Sequence, residues 1–139
     1  FADRYERPEY LARYRVADLF LDTHPYNAGT TASDALKMGL PMLTMIGQSY
    51  QARMGASILT SINLPELITN SPEEYEALAI ELATNPDKLK TIKDKLNSNL
   101  STAPLFDTKR FTKNIESAYT QMYERSQKGL EPEHIYVEE

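Results

Sequence analysis

Two short apolar runs constrain this chain more than any other feature. Ala17–Asp22 (ADLFLD) and Pro41–Ile46 (PMLTMI) each have the length and composition of a buried parallel strand. Pro41 stands at the first position of its run, where a missing N–H is tolerated. Between the runs lie only a loop, His24–Gly29, and a segment of helical character, Thr31–Met38, closed by Gly39 as a left-handed stop. Strand, helix and strand joined this tightly are expected to lie parallel, linked by a right-handed crossover. The fold class read from this pattern is α/β.

The remaining segments add helices faster than strands. Pro8–Val16 reads as a short helix with proline in its first turn. Gln51–Ile62 reads as a helix whose small patch, Gly55, Ala56 and Ser57, permits close packing. Leu64–Thr69 reads as a tight turn with room for one more short strand. Ser71 and Glu74 form a capping box before a stripe of Tyr75, Leu78, Ala79 and Leu82. Asn85-Pro86 ends that helix and opens another, which carries Leu89, Ile92 and Leu96. Asp107 or Thr108 caps a last long helix running to Gly129, with Phe111, Ile115, Tyr119 and Met122 along one face.

Two or three strands against five or six helices is too little sheet for a complete doubly wound domain. The chain is therefore expected to be the later half of one, a partial Rossmann-like lobe. Residues 1–129 would form that lobe, and 130–139 an acidic, mobile tail. The first residues read as the end of a strand, and the chain starts at Phe1, which agrees with a piece cut from a longer protein.

Composition narrows the function classes. A net charge of −5 argues against general nucleic-acid binding, which needs basic patches to offset phosphate. With no cysteine, disulfides and thiolate zinc sites are out, and a cytoplasmic setting is compatible. No apolar run reaches membrane-spanning length, so no membrane partner is expected. His24 and His134 stand alone, without further ligands at metal-binding spacing, and no metal is expected. The methionines read as core fillers. Glu73, Glu74 and Glu76 open a helix, where acids favour the dipole, and read as structural rather than as a catalytic pair.

The loop and helix start after the first strand carry the chemistry. In open α/β sheets, ligands bind beyond the carboxyl ends of the strands, and residues 23–34 occupy that place. A helix N-terminus offers free N–H groups and partial positive charge to a phosphate. Gly29 lets a ligand approach the backbone, Thr30 and Thr31 add hydroxyl donors, and Asp34, one turn in, can accept from a ribose hydroxyl. A plainer reading competes. Thr31-x-x-Asp34 is also a capping-box-like arrangement, and a cap and a phosphate draw on the same donors.

ADLFLDTHPYNAGTTASDALKMGLPMLTMIG occurs here together with Arg53, Ala56 and Ser57 in R-x-x-AS, LPELI (64–68), EYE (74–76) and APLFDTKRFT (103–112). This ordered set resembles the C-terminal part of the catalytic region of O-GlcNAc transferases and SPINDLY-like enzymes, glycosyltransferase family 41, including bacterial members. The resemblance implies the C-terminal lobe of a GT-B fold, with the active site in a cleft between two Rossmann-like lobes. It implies an inverting transfer, without metal or cofactor, from a nucleotide sugar, typically UDP-GlcNAc, to a Ser or Thr hydroxyl of a protein. TPR repeats usually precede such a catalytic region.

Carried over by position, the resemblance implies that Gly29, Thr30 and Thr31 hold the diphosphate and that Asp34 binds the ribose. Arg7 falls where a lysine binds the ribose. Arg13 matches an arginine on the uracil, and Tyr10 falls where animal members stack a histidine on the base. An aromatic face serves that purpose equally well. Apart from the resemblance, Tyr10, Arg13 and Tyr14 on a short helix read as ordinary solvated or snorkelling side chains.

No catalytic base is assigned, because the resemblance places the acceptor-activating groups in parts this chain lacks. The isolated chain is expected to be inactive. Three functions remain open on the sequence. They are the donor-binding fragment of an O-glycosyltransferase, a catalytically silent nucleotide-sugar-binding or partner-docking module, and a structural piece whose threonines only cap a helix. Exposed apolar surface, where sheet partners would pair and along the last helix, is expected to allow self-association.

Overall fold

A computed structural model describes residues 3–137. The strand end expected at Phe1 and Ala2 lies outside the described residues, as do the last two residues of the acidic tail. The chain divides into two compact units, one running to Leu105 and one beginning at Phe106.

In the first unit, helix α1 (Arg7–Ala12) opens with proline in its first turn and tightens into a 3-10 turn, Arg13–Val16. There follow β1 (Phe20–Leu21), α2 (Thr30–Lys37), β2 (Met42–Met45), α3 (Met54–Ser61), β3 (Ile68–Thr69), α4 (Pro72–Thr84) and α5 (Pro86–Asn99). The strands form one parallel sheet in the order β1-β2-β3, with Phe20 opposite Met42 and Thr44 opposite Ile68. The α/β, partial Rossmann-like arrangement expected from the sequence is present, and the segment ending at Thr69 does supply a third strand.

The central strand carries the core. Met42, Leu43 and Thr44 are fully buried, together with Leu36 of α2, Leu59 of α3, Leu82 of α4 and Leu96 of α5. Apolar burial of this kind is the main favourable term in folding. β1 differs from expectation. The run Ala17–Asp22 reads as a buried strand, yet only Phe20 and Leu21 pair, and Leu21 stays 52% exposed. The reason is position: β1 is an edge strand with a partner on one side only among the described residues.

Helix ends follow their side-chain signals in three places. Glu74 donates its N–H to Ser71 Oγ at 3.2 Å, while its carboxylate accepts from the Asn70 N–H at 2.8 Å. Asn85 closes α4 and caps α5, its Oδ1 accepting from the Lys88 N–H at 3.1 Å. Gly39, at φ +81°, takes the left-handed position after α2.

The second unit holds α6 (Thr108–Gln127), capped by Asp107, whose Oδ1 accepts from the Arg110 N–H at 3.0 Å. No residue of α6 is buried, and Phe111, Tyr119 and Met122 are each more than half exposed. Gly129, at φ +64°, turns the chain beyond the helix. Arg125 then holds the following segment, donating to the Glu131 carbonyl at 2.6 Å and pairing with the Glu133 carboxylate. No helix among the described residues is long and apolar enough to cross a membrane.

One close contact locks the first unit together. The Cα of Gly55 in α3 faces β2, and a Cβ there would stand 2.4 Å from Thr44 Oγ1 and 2.7 Å from Asp22 Oδ2. The small-residue patch is therefore a requirement at this position. Gly55→Ala is expected to destabilise the protein by about 1–3 kcal/mol, the usual cost of overpacking. Chemical denaturation measures this, and an unchanged midpoint would refute the contact.

Candidate functional site

The site begins where β1 ends. Asp22 follows the strand and is 7% exposed. Its Oδ1 accepts the N–H of Thr23 at 2.9 Å and that of Ala28 at 2.8 Å, and its Oδ2 accepts the Thr44 hydroxyl at 2.6 Å. Its main-chain carbonyl accepts the Tyr75 hydroxyl from α4 at 2.9 Å. Burial first, and then the Asp22 charge, push the Tyr75 phenol above its ordinary range.

The loop between β1 and α2 is bonded within itself and to its surroundings. The Thr23 hydroxyl donates to the Tyr26 carbonyl at 2.6 Å, and Asn27 Nδ2 donates to the Thr23 carbonyl at 2.8 Å. Asn27 is buried, its N–H donates to the Gln51 carbonyl at 3.3 Å, and its Oδ1 takes the Gly55 N–H at a long 3.4 Å.

Helix α2 starts at Thr30 with Gly29 in the cap position, and no side chain caps it. The capping-box expectation for Thr31 and Asp34 is thereby overturned. Thr31 already lies inside the first turn, so its hydroxyl does not occupy a cap position, and the Asp34 carboxylate is bonded to Arg7 instead. Both threonines are exposed. The first internal bond of α2 joins the Ser33 N–H to the Gly29 carbonyl at 3.0 Å. The preceding N–H groups have no acceptor within the helix and form its positive end. Gly29 has φ −107°, so backbone strain does not demand glycine there. Its contribution is a helix start without a side chain in front of it.

A second group of side chains comes from α1 and its 3-10 extension. Arg7 Nη2 donates to Asp34 Oδ1 at 2.9 Å, joining the two residues assigned to the ribose. The Arg7 side chain is 66% exposed and that of Asp34 10%. Tyr10 and Tyr14 meet edge to face at 5.4 Å between centroids, with their hydroxyls hydrogen-bonded. Burial, and then the Tyr10 hydroxyl, raise the Tyr14 phenol above its ordinary range. Arg13 lies 4.5 Å from the Tyr5 ring centroid, a cation–π contact, and donates to the Asp3 carbonyl at 3.0 Å. Tyr10, Arg13 and Tyr14, with Leu19, Phe20 and Leu40, line an open depression of about 360 Å³.

The candidate residues thus fall on two segments: Gly29, Thr30, Thr31 and Asp34 at α2, and Arg7, Tyr10 and Arg13 at α1. The Arg7–Asp34 pair joins the segments. Sequence reasoning read Tyr14, one helical turn from Tyr10, only as an ordinary side chain and gave it no place in the site. It also passed over Asp22, Asn27, Thr44 and Tyr75 as a connected set. A hint existed in the apolar run ADLFLD ending in an acid, since a carboxylate closing a buried strand needs donors. No group of three or more His, Cys, Asp or Glu side chains among the described residues is arranged to hold a metal.

The family model of glycosyl transferase family 41 matches residues 1–115. A probable UDP-N-acetylglucosamine–peptide N-acetylglucosaminyltransferase, SEC of Arabidopsis thaliana, is 37% identical over 138 residues, which is 99% of this chain and 14% of that protein. The UDP-N-acetylglucosamine–peptide N-acetylglucosaminyltransferase of Caenorhabditis elegans is 33% identical over 97% of this chain and 12% of its own length. A solved structure of a mutant Thermobaculum terrenum O-GlcNAc transferase superposes with a TM-score of 0.80 at 34% identity, covering 86% of this chain and 23% of that one. The chain therefore spans 12–14% of the length of these curated relatives. With the matched model extending over most of its residues and the fold agreeing, this chain belongs to glycosyl transferase family 41.

Proposed function

We propose that this chain is the donor-binding part of an inverting, metal-independent protein O-glycosyltransferase, and that its ligand is a UDP-sugar, UDP-GlcNAc. The observation that carries the reading is the start of α2. It lies just past the carboxyl end of β1, has no side-chain cap, and bears two exposed threonines. Family membership and the substrate in the relatives' names support the nucleotide sugar as ligand.

The mechanism assigned to this chain is electrostatic. Transfer expels a nucleoside diphosphate, on which negative charge grows. N–H groups at the start of α2 and the hydroxyls of Thr30 and Thr31 donate to the diphosphate oxygens, stabilising that charge without a cation. Asp34 accepts a ribose hydroxyl, and Arg7, which engages one of its oxygens, sits beside the same sugar. Tyr10 and Arg13 hold the uracil at the depression they line. The groups that activate the protein acceptor's Ser or Thr belong to other parts of the enzyme. Residues 1–129 act as part of the nucleotide lobe and 130–139 as an acidic appendage, in a cytoplasmic protein.

Three outcomes test this reading. In the full-length protein, Thr30→Ala combined with Thr31→Ala is expected to weaken UDP binding roughly tenfold or more, from lost bonds to a charged ligand. Thermal stability is expected to stay within about 0.5 kcal/mol, because both side chains are exposed and cap nothing. Calorimetric titration decides, and wild-type protein that ignores UDP would sink the reading. The 139-residue chain alone is expected to show no turnover of UDP-GlcNAc, and steady release of UDP would contradict the division of labour. The exposed stripe of α6 is expected to associate with further copies, and light scattering showing a monomer at all concentrations would count against it.

A further inference from the structure

Asp22 stands behind the proposed anion site and contributes no group to it. One of its atoms, Oδ1, accepts the N–H groups of Thr23 and Ala28, the first loop residue and the last before Gly29. A single oxygen therefore closes the loop from both ends and delivers the chain to Gly29, from which α2 starts. The carboxylate is itself held in place. Thr44 of β2 donates to its other oxygen, Tyr75 of α4 donates to its main-chain carbonyl, and Gly55 of α3 leaves the space it fills.

We propose that Asp22 is a positioning residue for the anion site at the start of α2. It sets the direction of the N–H groups from Gly29 to Thr31, and through them the affinity for a nucleoside diphosphate. The proposal rests on the donor-binding reading above. A site built from backbone N–H groups binds tightly only when those groups converge on one point before the ligand arrives. Residues 23–28 have no regular structure to hold them. Their ends are held by the Asp22 carboxylate, so losing it leaves two loop N–H groups without their acceptor and frees the loop to rearrange.

Two substitutions separate shape from charge. Asp22→Asn keeps the shape and one oxygen that can accept both loop N–H groups. Its amide can donate to the Thr44 hydroxyl, which accepts as well as it donates. Asp22→Ala removes both side-chain acceptors and leaves the main-chain carbonyl that accepts the Tyr75 hydroxyl. Ile92→Val, a core truncation on α5, serves as a control that costs stability without touching the loop.

Hydrogen–deuterium exchange over residues 22–31 and UDP titration of the full-length protein test the proposal together. Asp22→Ala is expected to speed exchange of the loop and to weaken UDP binding, each by roughly tenfold. Asp22→Asn is expected to fall between it and wild type, while Ile92→Val leaves both readouts at wild-type values. If Asp22→Ala lowers the melting temperature but leaves loop exchange and UDP affinity like those of Ile92→Val, the residue is merely structural and the proposal fails. If the Ala variant does not fold, the Asn variant decides by the same two readouts. Wild-type protein that does not bind UDP overturns the donor reading. The exchange arm then still decides whether Asp22 orders the loop, and unchanged exchange overturns the proposal on its own.

Discussion

The buried carboxylate of Asp22 is the interaction on which the rest of this fold depends. A carboxylate removed from water is costly unless donors replace the water it loses. Here the donors come from the loop after β1 and from the neighbouring strand, and a tyrosine from α4 secures the same residue's carbonyl. Meeting the needs of one buried group thus ties three elements and a loop together. It also explains why α3 carries glycine at position 55, since a methyl group there would collide with the carboxylate and its hydroxyl partner.

The two parts of the proposed site are built differently. In the proposed reading the phosphate side combines main-chain groups at a helix start with the Thr30 and Thr31 hydroxyls, so it would depend on backbone position as well as on two side chains. The nucleoside side, in the same reading, would draw on the side chains of Arg7, Tyr10 and Arg13, which stand on a short helix and its 3-10 extension. Their link is the ion pair Arg7–Asp34, whose arginine is mostly in water. Such a pair adds at most about 1 kcal/mol, which orients the groups without fixing them rigidly.

Much of the architecture was legible because it rests on local rules. Ser71 and Asp107 are helix caps in the structure as their positions suggested, Asn85 ends α4 as expected and also caps α5, and Gly39 is the left-handed stop after α2. Thr31 broke the pattern. Its spacing to Asp34 satisfies the capping rule, but Arg7, 27 residues earlier, takes the carboxylate, and the helix begins one residue sooner. A rule written for neighbours along the chain has no place for a partner brought in by folding. The candidate residues were found by position and resemblance, whereas the contacts among them, such as Tyr10 with Tyr14, became visible only in three dimensions.

By itself the sequence determined the class of fold, the order of its elements, the starts of α4 and α6, the stop after α2 and the residues that resemble a family of glycosyltransferases. These follow from periodicity, turn chemistry and motif, all of which act over a few residues. Only the tertiary structure decided that β1 is two residues long and stands at the sheet edge among the described residues, that α2 begins uncapped, and that Asp22, Thr44, Gly55 and Tyr75 form one connected group. The physical reason is that strand pairing and the satisfaction of a buried charge are settled between segments far apart in the chain. Their outcome depends on which donor reaches the acceptor once the core has closed.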